Sequence, residues 1–268
     1  MTKFFVTVAS LASVVALAGG ATALGTDTVG ASLTFAWPTS IDVAGDGSLV
    51  LVENGANRVV RVQPATRGVT VIASGLAKPY AAVEAQSGAI LLSNGHLLQR
   101  LAAGRTKTLA RAAEDIGPIA IARDGRIYYT DATHVFVLAR GRSRAIASRV
   151  DNPHGISVAP DGAVLVSDTG HNRVLRIGPH PGRVATLIRT AQPRGLAVAP
   201  DGTVYVVEGG AKRVGRYSPA GVRLGSVGPR YHDPYDVAVA AHGVAFVLET
   251  AASGSVWRIA ADGAATTL

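Results

Sequence analysis

Cysteine is absent from this 268-residue sequence. Disulfides, thiolate metal sites and cysteine nucleophiles are therefore excluded, though secretion is not. No Gly-x-Ser-x-Gly elbow, phosphate-binding P-loop or Rossmann fingerprint occurs either. Charged residues make up only 16% and aromatics 5%. Acids are the scarcer sign: 18 Asp and Glu face 26 Lys and Arg, of which 22 are Arg, for a formal charge of +8. A basic surface of this kind suits nucleic acid, anionic lipid or an anionic envelope polymer, or is simply solvated. The arginines concentrate at Arg100, Arg105, Lys107 and Arg111, and again at Arg140, Arg142, Arg144 and Arg149. No aromatic residues interleave with them, which argues against nucleic acid and leaves a solvated surface or an anionic polymer.

What is abundant is apolar residue (48%) and glycine (31 residues), enough for one all-β domain with many tight turns. Residues 1–23, MTKFFVTVASLASVVALAGGATA, read as a secretory signal peptide. They have a basic start at Lys3, an apolar run from Phe4 to Leu17, and Ala21-Thr22-Ala23 as an Ala-x-Ala cleavage site. Ala16-Leu17-Ala18 is a second possible site, and a retained membrane anchor is the alternative. After cleavage no stretch remains that could span a bilayer. Residues 24–30 form a short linker, and 31–268 the folded domain. The mature protein is expected to be a secreted or cell-surface monomer.

The domain is a repeat. PHGISVAPDGAVLVSDTGHNRVLRI, residues 153–177, holds two alternating runs about an Asp-Gly turn, which is the pattern of an antiparallel hairpin. Copies align without a gap on turn residues Asp46, Ser87, Asp124, Asp161, Asp201 and His242, each followed by Gly. Eight residues before each stand Pro38, Pro79, Ile116, Pro153, Pro193 and Pro234; seven after stand Glu53, Asn94, Asp131, Asp168, Glu208 and Glu249. Successive turns are 41, 37, 37, 40 and 41 residues apart. Six units with four strand-like runs each predict a six-bladed β-propeller of four-stranded antiparallel blades. The second and third repeats have shorter hairpins and lack the Arg-Val pair after the acid. Two segments compete for the outermost place in the last blade, Ser32–Ala36 and 264–268.

The 153–177 stretch resembles an NHL repeat: Pro-x-Gly, an Asp-Gly turn, an acid, then Asn-Arg-Val. QPRGLAVAPDGTVYVVEGGAKRV and WPTSIDVAGDGSLVLVENGANRV are the next best copies. The resemblance covers about residues 31–268 and implies an NHL/TolB-like propeller. It also implies that the first strand of each blade lines the axis, with the residue after each Pro at the channel mouth on the top face. Lyases, lactonases and binding platforms share this fold, so function rests on the site.

Around the ring that position carries Thr39, Tyr80, Gly117, His154, Arg194 and Tyr235. These suit a small anionic or carbonyl-bearing ligand, with Arg194 as a fork for carboxylate or phosphate and His154 and a Tyr as base and acid. They also suit a protein partner, or a mouth that only holds water. The acids, with Glu53, Asp168 and Glu208 foremost, suit calcium or magnesium. They equally suit a structural role, accepting backbone N–H bonds and pairing with Arg58, Arg173 and Arg213. Resemblance to gluconolactonase-like proteins implies a Glu, an Asn and an Asp at the mouth, which this ring lacks. Resemblance to peptide α-amidating lyases implies three axial His for zinc, of which only His154 is in register. Resemblance to streptogramin lyases implies a Pro-His-x-Ile histidine with an acid fourteen residues on, matched by His154 and Asp168. The expected function is ligand or partner binding at the top face, with lyase or hydrolase chemistry from the same mouth as the alternative.

N-terminal sequencing of the protein recovered from the medium is expected to begin at Leu24. An intact Met1 would contradict cleavage.

Overall fold

The computed structural model describes residues 32–178 and 183–268, so the segment read as a signal peptide lies outside it. Six four-stranded antiparallel sheets follow one another along the chain. Blade I is β1 (Pro38–Val43), β2 (Leu49–Glu53), β3 (Arg58–Gln63) and β4 (Gly68–Ala73). Blade II is β5 (Pro79–Glu84), β6 (Ile90–Asn94), β7 (Leu97–Ala102) and β8 (Arg105–Arg111). Blade III is β9 (Ile119–Ile121), β10 (Ile127–Thr130), β11 (His134–Ala139) and β12 (Arg142–Ser148). Blade IV is β13 (Pro153–Val158), β14 (Val164–Asp168), β15 (Arg173–Ile177) and β16 (Val184–Arg189). Blade V is β17 (Pro193–Val198), β18 (Val204–Glu208), β19 (Arg213–Tyr217) and β20 (Arg223–Val227). Blade VI is β21 (Pro234–Val239), β22 (Ala245–Glu249), β23 (Ser255–Ile259) and β24 (Ala265–Thr267). The six first strands pack side by side in a closed ring, so the predicted propeller and blade count are observed.

The second strand of each blade is sandwiched between two neighbouring sheets. This is why β2 (LVLVE) and β18 (VYVVE) are continuous apolar runs buried along their whole length, not alternating ones. Alternation survives as a choice of neighbour. Leu49 and Leu51 join the core shared with blade VI, whereas Val50 and Val52 join the core shared with blade II. Six such clusters, one per blade interface, make up the core.

The turn between first and second strands works as its sequence predicts. The Ser48 N–H donates to Asp46 Oδ1 at 2.9 Å and the Ala163 N–H to Asp161 Oδ1 at 3.1 Å, while Gly47 and Gly162 take φ of 81° and 83°. Only Gly adopts that φ without strain. The first strand begins at the Pro itself, earlier than the alternation alone indicates, because a bulge between Pro153 and Gly155 restores the register. Blade III departs from the pattern: with Ile116-Gly117-Pro118 in place of the leading Pro, β9 is only three residues long.

Closure falls to the C-terminus. β24 pairs with β23 as the outermost strand of blade VI. The residues from Ser32 to Ala36 do not join that ladder. Phe35 instead exchanges backbone hydrogen bonds with Gly254 at 2.9 and 2.7 Å, and the Leu33 N–H reaches the Leu268 carbonyl. Leu33, Phe35 and Leu268 thereby seal the core between the first and last blades.

Three of the acids that end the second strands, Glu53, Asp168 and Glu249, bind the chain segment entering their own blade, whereas Asp131 accepts the Thr133 and His134 N–H groups of the hairpin that follows it. Glu53 accepts the Ala36 N–H at 3.0 Å and pairs with Arg58 at 2.5 Å. Asp168 accepts the Asp151 N–H at 2.7 Å and pairs with Arg173 at 2.7 Å. Asn94 and Glu249 likewise accept linker N–H groups. Glu208 pairs with Arg213 and accepts the Tyr217 hydroxyl. Asp168→Asn is expected to cost about 2 kcal/mol in urea unfolding, because the buried amide loses the charge-assisted contacts to Arg173 and His171. Asp161→Asn, at an exposed pair with Arg176, is expected to cost under about 1 kcal/mol. Equal losses would contradict the structural role.

Candidate functional site

In every blade but III the first strand starts at a Pro, and Thr39, Tyr80 and His154, each just after that Pro, line the axial channel. The structure brings four of the predicted side chains together there. The Tyr80 and Tyr235 hydroxyls, from blades II and VI, are 3.1 Å apart. The His154 ring lies 6.5 Å from the Tyr80 ring and 5.5 Å from the Tyr235 ring, between centroids. Arg194 stacks over Tyr235, its guanidinium carbon 5.6 Å from the centroid. All four are half-buried.

Two expectations change. Thr39 turns its hydroxyl to the Tyr80 carbonyl at 2.7 Å and so braces Tyr80. Arg194 does not stand free as an anion fork: its Nη1 donates to Asp233 at 2.5 Å and to the Pro234 carbonyl at 3.0 Å. Asp233 sits in the linker just before Pro234, a position that a comparison of equivalent ring residues passes over. Gly117 contributes no side chain.

Below this group runs a shaft of about 250 Å³, lined from Thr39, Tyr80 and His154 down to Val43, Val83 and Val239. It is lined by three acids that reading the ring position missed: Asp42, Asp236 and Glu84, the last paired with Arg61. Their signal was an acid inside a first strand, where the other repeats carry small or apolar residues. Asp236 accepts the Ile41 N–H at 3.0 Å and the Val237 N–H at 2.9 Å; Asp42 accepts the Glu84 N–H at 2.8 Å. Gly195 makes room, because a Cβ there would collide with an Asp236 oxygen.

Burial sets the protonation of the site. Desolvation raises Asp236 to about 7, with the Asp42 charge adding, and raises Asp42 to about 6. Desolvation, with help from the Arg194 charge, lowers His154 to about 4, so its imidazole is neutral at neutral pH. The buried Nδ1 of His154 has no hydrogen-bond partner. The two phenols are pushed above their ordinary range, chiefly by burial. They share one hydrogen bond, so one of their two O–H groups remains to donate. The group therefore offers a neutral ring nitrogen and a phenol donor a few ångströms apart.

Calcium or magnesium needs several converging oxygens. Glu53, Asp168 and Glu208 sit on separate blades, each committed to an arginine. Among the described residues no three His, Asp or Glu come together as a metal-holding group. The residues of the mouth do not fit a divalent ion.

Residues 151–177 match the NHL repeat. No curated protein sequence matches the chain. Solved propellers share its fold at low identity. A gluconolactonase from Xanthomonas campestris is 17% identical, with 88% of each chain covered and a TM-score of 0.75. A virginiamycin B lyase from Staphylococcus aureus, in a catalytically inactive histidine-to-alanine form with quinupristin, is 16% identical over 87% of this chain and 84% of its own, at 0.65. The calcium-binding protein regucalcin from Agrobacterium tumefaciens is 15% identical over 80% and 82%, at 0.68.

The shifts predict a pH signature. Stability from burying neutral Asp236 is full below its ordinary 3.8 and is lost as the pH rises through about 7. The His154 contribution runs the other way, present above 6.5 and lost as the pH falls through about 4. Asp236→Asn is therefore expected to gain thermal stability relative to wild type as the pH rises from about 4 to about 7. A difference that stays constant with pH would contradict the raised value.

Proposed function

We propose that this propeller binds a small, uncharged ligand carrying both a hydrogen-bond donor and a carbonyl or hydroxyl acceptor at the top face, over His154, Tyr80 and Tyr235. The observation that carries this is the buried, unpartnered Nδ1 of His154 beside the Tyr80–Tyr235 pair. A buried polar atom without a partner costs about 1–3 kcal/mol, which a ligand donor returns on binding. A neutral ligand fits better than an anion, because Asp233 already neutralises Arg194. A protein that inserts a polar side chain at the same point would satisfy the same groups. The N-terminal 23 residues support work outside the cytoplasm, after cleavage.

Lyase or hydrolase chemistry is the second reading, and one observation favours it. His154 is unprotonated at neutral pH and its buried Nδ1 is not taken up by a protein hydrogen bond, as a general base requires. The virginiamycin B lyase neighbour loses catalysis when a histidine is replaced. In this reading Tyr80 or Tyr235 supplies the proton and Arg194, held by Asp233, orients Tyr235.

Calorimetric titration with gluconolactone and with quinupristin, together with product analysis, separates the two. Binding without turnover, weakened about ten-fold or more by His154→Ala and by Tyr235→Phe, is expected; a ten-fold loss corresponds to about 1.4 kcal/mol. Turnover abolished by His154→Ala would establish the second reading. Binding that survives His154→Ala unchanged would place the ligand elsewhere.

A further inference from the structure

Eight cations of this protein are gathered in one sector of its rim. Arg100, Arg105, Lys107 and Arg111 lie on β7 and β8, and Arg140, Arg142, Arg144 and Arg149 on or beside β12. Taking these eight from the 26 Lys and Arg leaves 18, the number of Asp and Glu in the chain. The eight thus equal in number the formal excess of +8. Residues 97–111 and 140–149 contain no acid and no aromatic. All eight cations are exposed. Among the described residues none of them has an ion-pair partner, whereas Arg58, Arg61, Arg126, Arg173, Arg176, Arg194 and Arg213 all do.

The arrangement repeats from blade to blade. β8 and β12 are both seven-residue outermost strands, and both place cations at their first and third positions: Arg105 and Lys107, Arg142 and Arg144. Residues two apart on a strand share a face about 7 Å apart. Arg100 stands directly opposite Lys107 on the neighbouring strand, so like charges are adjacent across the ladder. That pairing is unfavourable in the free protein. Protection of sheet edges against pairing would also place cations on outer strands. The other four outer strands do not have them. β4 carries Gly68 and Thr70 at these positions, β16 Val184 and Thr186, and β24 Ala265 and Thr267. β20 has only Arg223, which lies 3.7 Å from Glu208.

We infer that the outer edges of blades II and III form a docking strip for a flexible linear polyanion of repeating phosphate or carboxylate groups. Cations spread over two blades match the spacing of repeated charges along a chain, and linked contacts multiply in affinity where single ones do not. The lack of aromatic residues removes the stacking platform that single-stranded nucleic acid uses. The exposed large apolar side chains, Trp37, Val184, Val222 and Leu224, lie on other blades, so the strip has nothing to insert into a bilayer. The strip is separate from the top-face site, and either stands without the other.

The test is titration of the full chain with long-chain polyphosphate. For four phosphate contacts, counterion competition predicts an affinity that falls on the order of 50-fold between about 50 and 200 mM salt. The variant with Arg105→Gln, Lys107→Gln, Arg142→Gln and Arg144→Gln is expected to bind at least ten-fold more weakly at the lower salt, with a flatter salt dependence. A control of equal charge, with Arg183→Gln, Lys212→Gln, Arg216→Gln and Arg258→Gln, is expected to change binding less than two-fold. Equal weakening in both variants, or no binding by wild type at low salt, would overturn the strip. Inorganic phosphate binding as tightly as the polymer would overturn the linear occupant. Single-stranded DNA or phosphatidylglycerol vesicles binding more tightly than polyphosphate through the same four residues would replace it with nucleic acid or membrane.

Discussion

The organisation of this molecule depends on buried carboxylates at the ends of the second strands. In Glu53 and Asp168 both carboxylate oxygens are engaged. One takes a backbone N–H from the linker that enters the blade, and the other takes an arginine five residues on. Both carboxylates are at most 1% exposed. A charge so enclosed is tolerable only with its partners in place. The linker is therefore fixed at the top of the blade, and with it the Pro and the residue that follows. In blades II and VI, Asn94 and Glu249 hold the linker N–H groups without an arginine, and Tyr80 and Tyr235, 155 residues apart in sequence, come within hydrogen-bonding distance.

What the clamp positions is chemically unusual at one point. Most polar groups on the axis are satisfied by the fold: Thr39 by a carbonyl, Arg194 by Asp233, Asp42 and Asp236 by backbone N–H groups. His154 is not, and its environment holds it uncharged. Arg194 contributes in two ways, stacking on Tyr235 and keeping a positive potential near the imidazole that resists protonation. The shaft below has the opposite character, with acids that burial pushes toward neutrality. Top face and shaft thus differ in what they can hold, although the same first strands line both.

The fold was legible because its punctuation is local. The Asp-Gly turn, the Pro eight residues before it and the acid seven after are each set by backbone requirements, and their constant offsets give blade number and strand order. Closure was not legible. Both Ser32–Ala36 and the last five residues have strand-like composition, and the choice between them depends on the hydrogen bonds of Phe35 with Gly254. At the site, the ring of residues after each Pro identified His154, Tyr80, Tyr235 and Arg194 as neighbours. It could not show that Asp233, from the linker of the next repeat, captures Arg194, since repeats compared position by position conceal contacts between different positions. Asp42 and Asp236 were hidden for another reason: their repeat positions are apolar or small elsewhere, so only their oddity marked them.

The central claim is that His154 is neutral, with an unpartnered Nδ1, at the point where the ring converges. Nitrogen-15 NMR of the imidazole in the full-length protein tests it directly. The account predicts that His154 keeps a neutral spectrum down to about pH 5, since its pKa lies near 4, with the proton on Nε2 and Nδ1 unprotonated. A His154 that titrates near 6.5, or one that carries its proton on Nδ1, would contradict it.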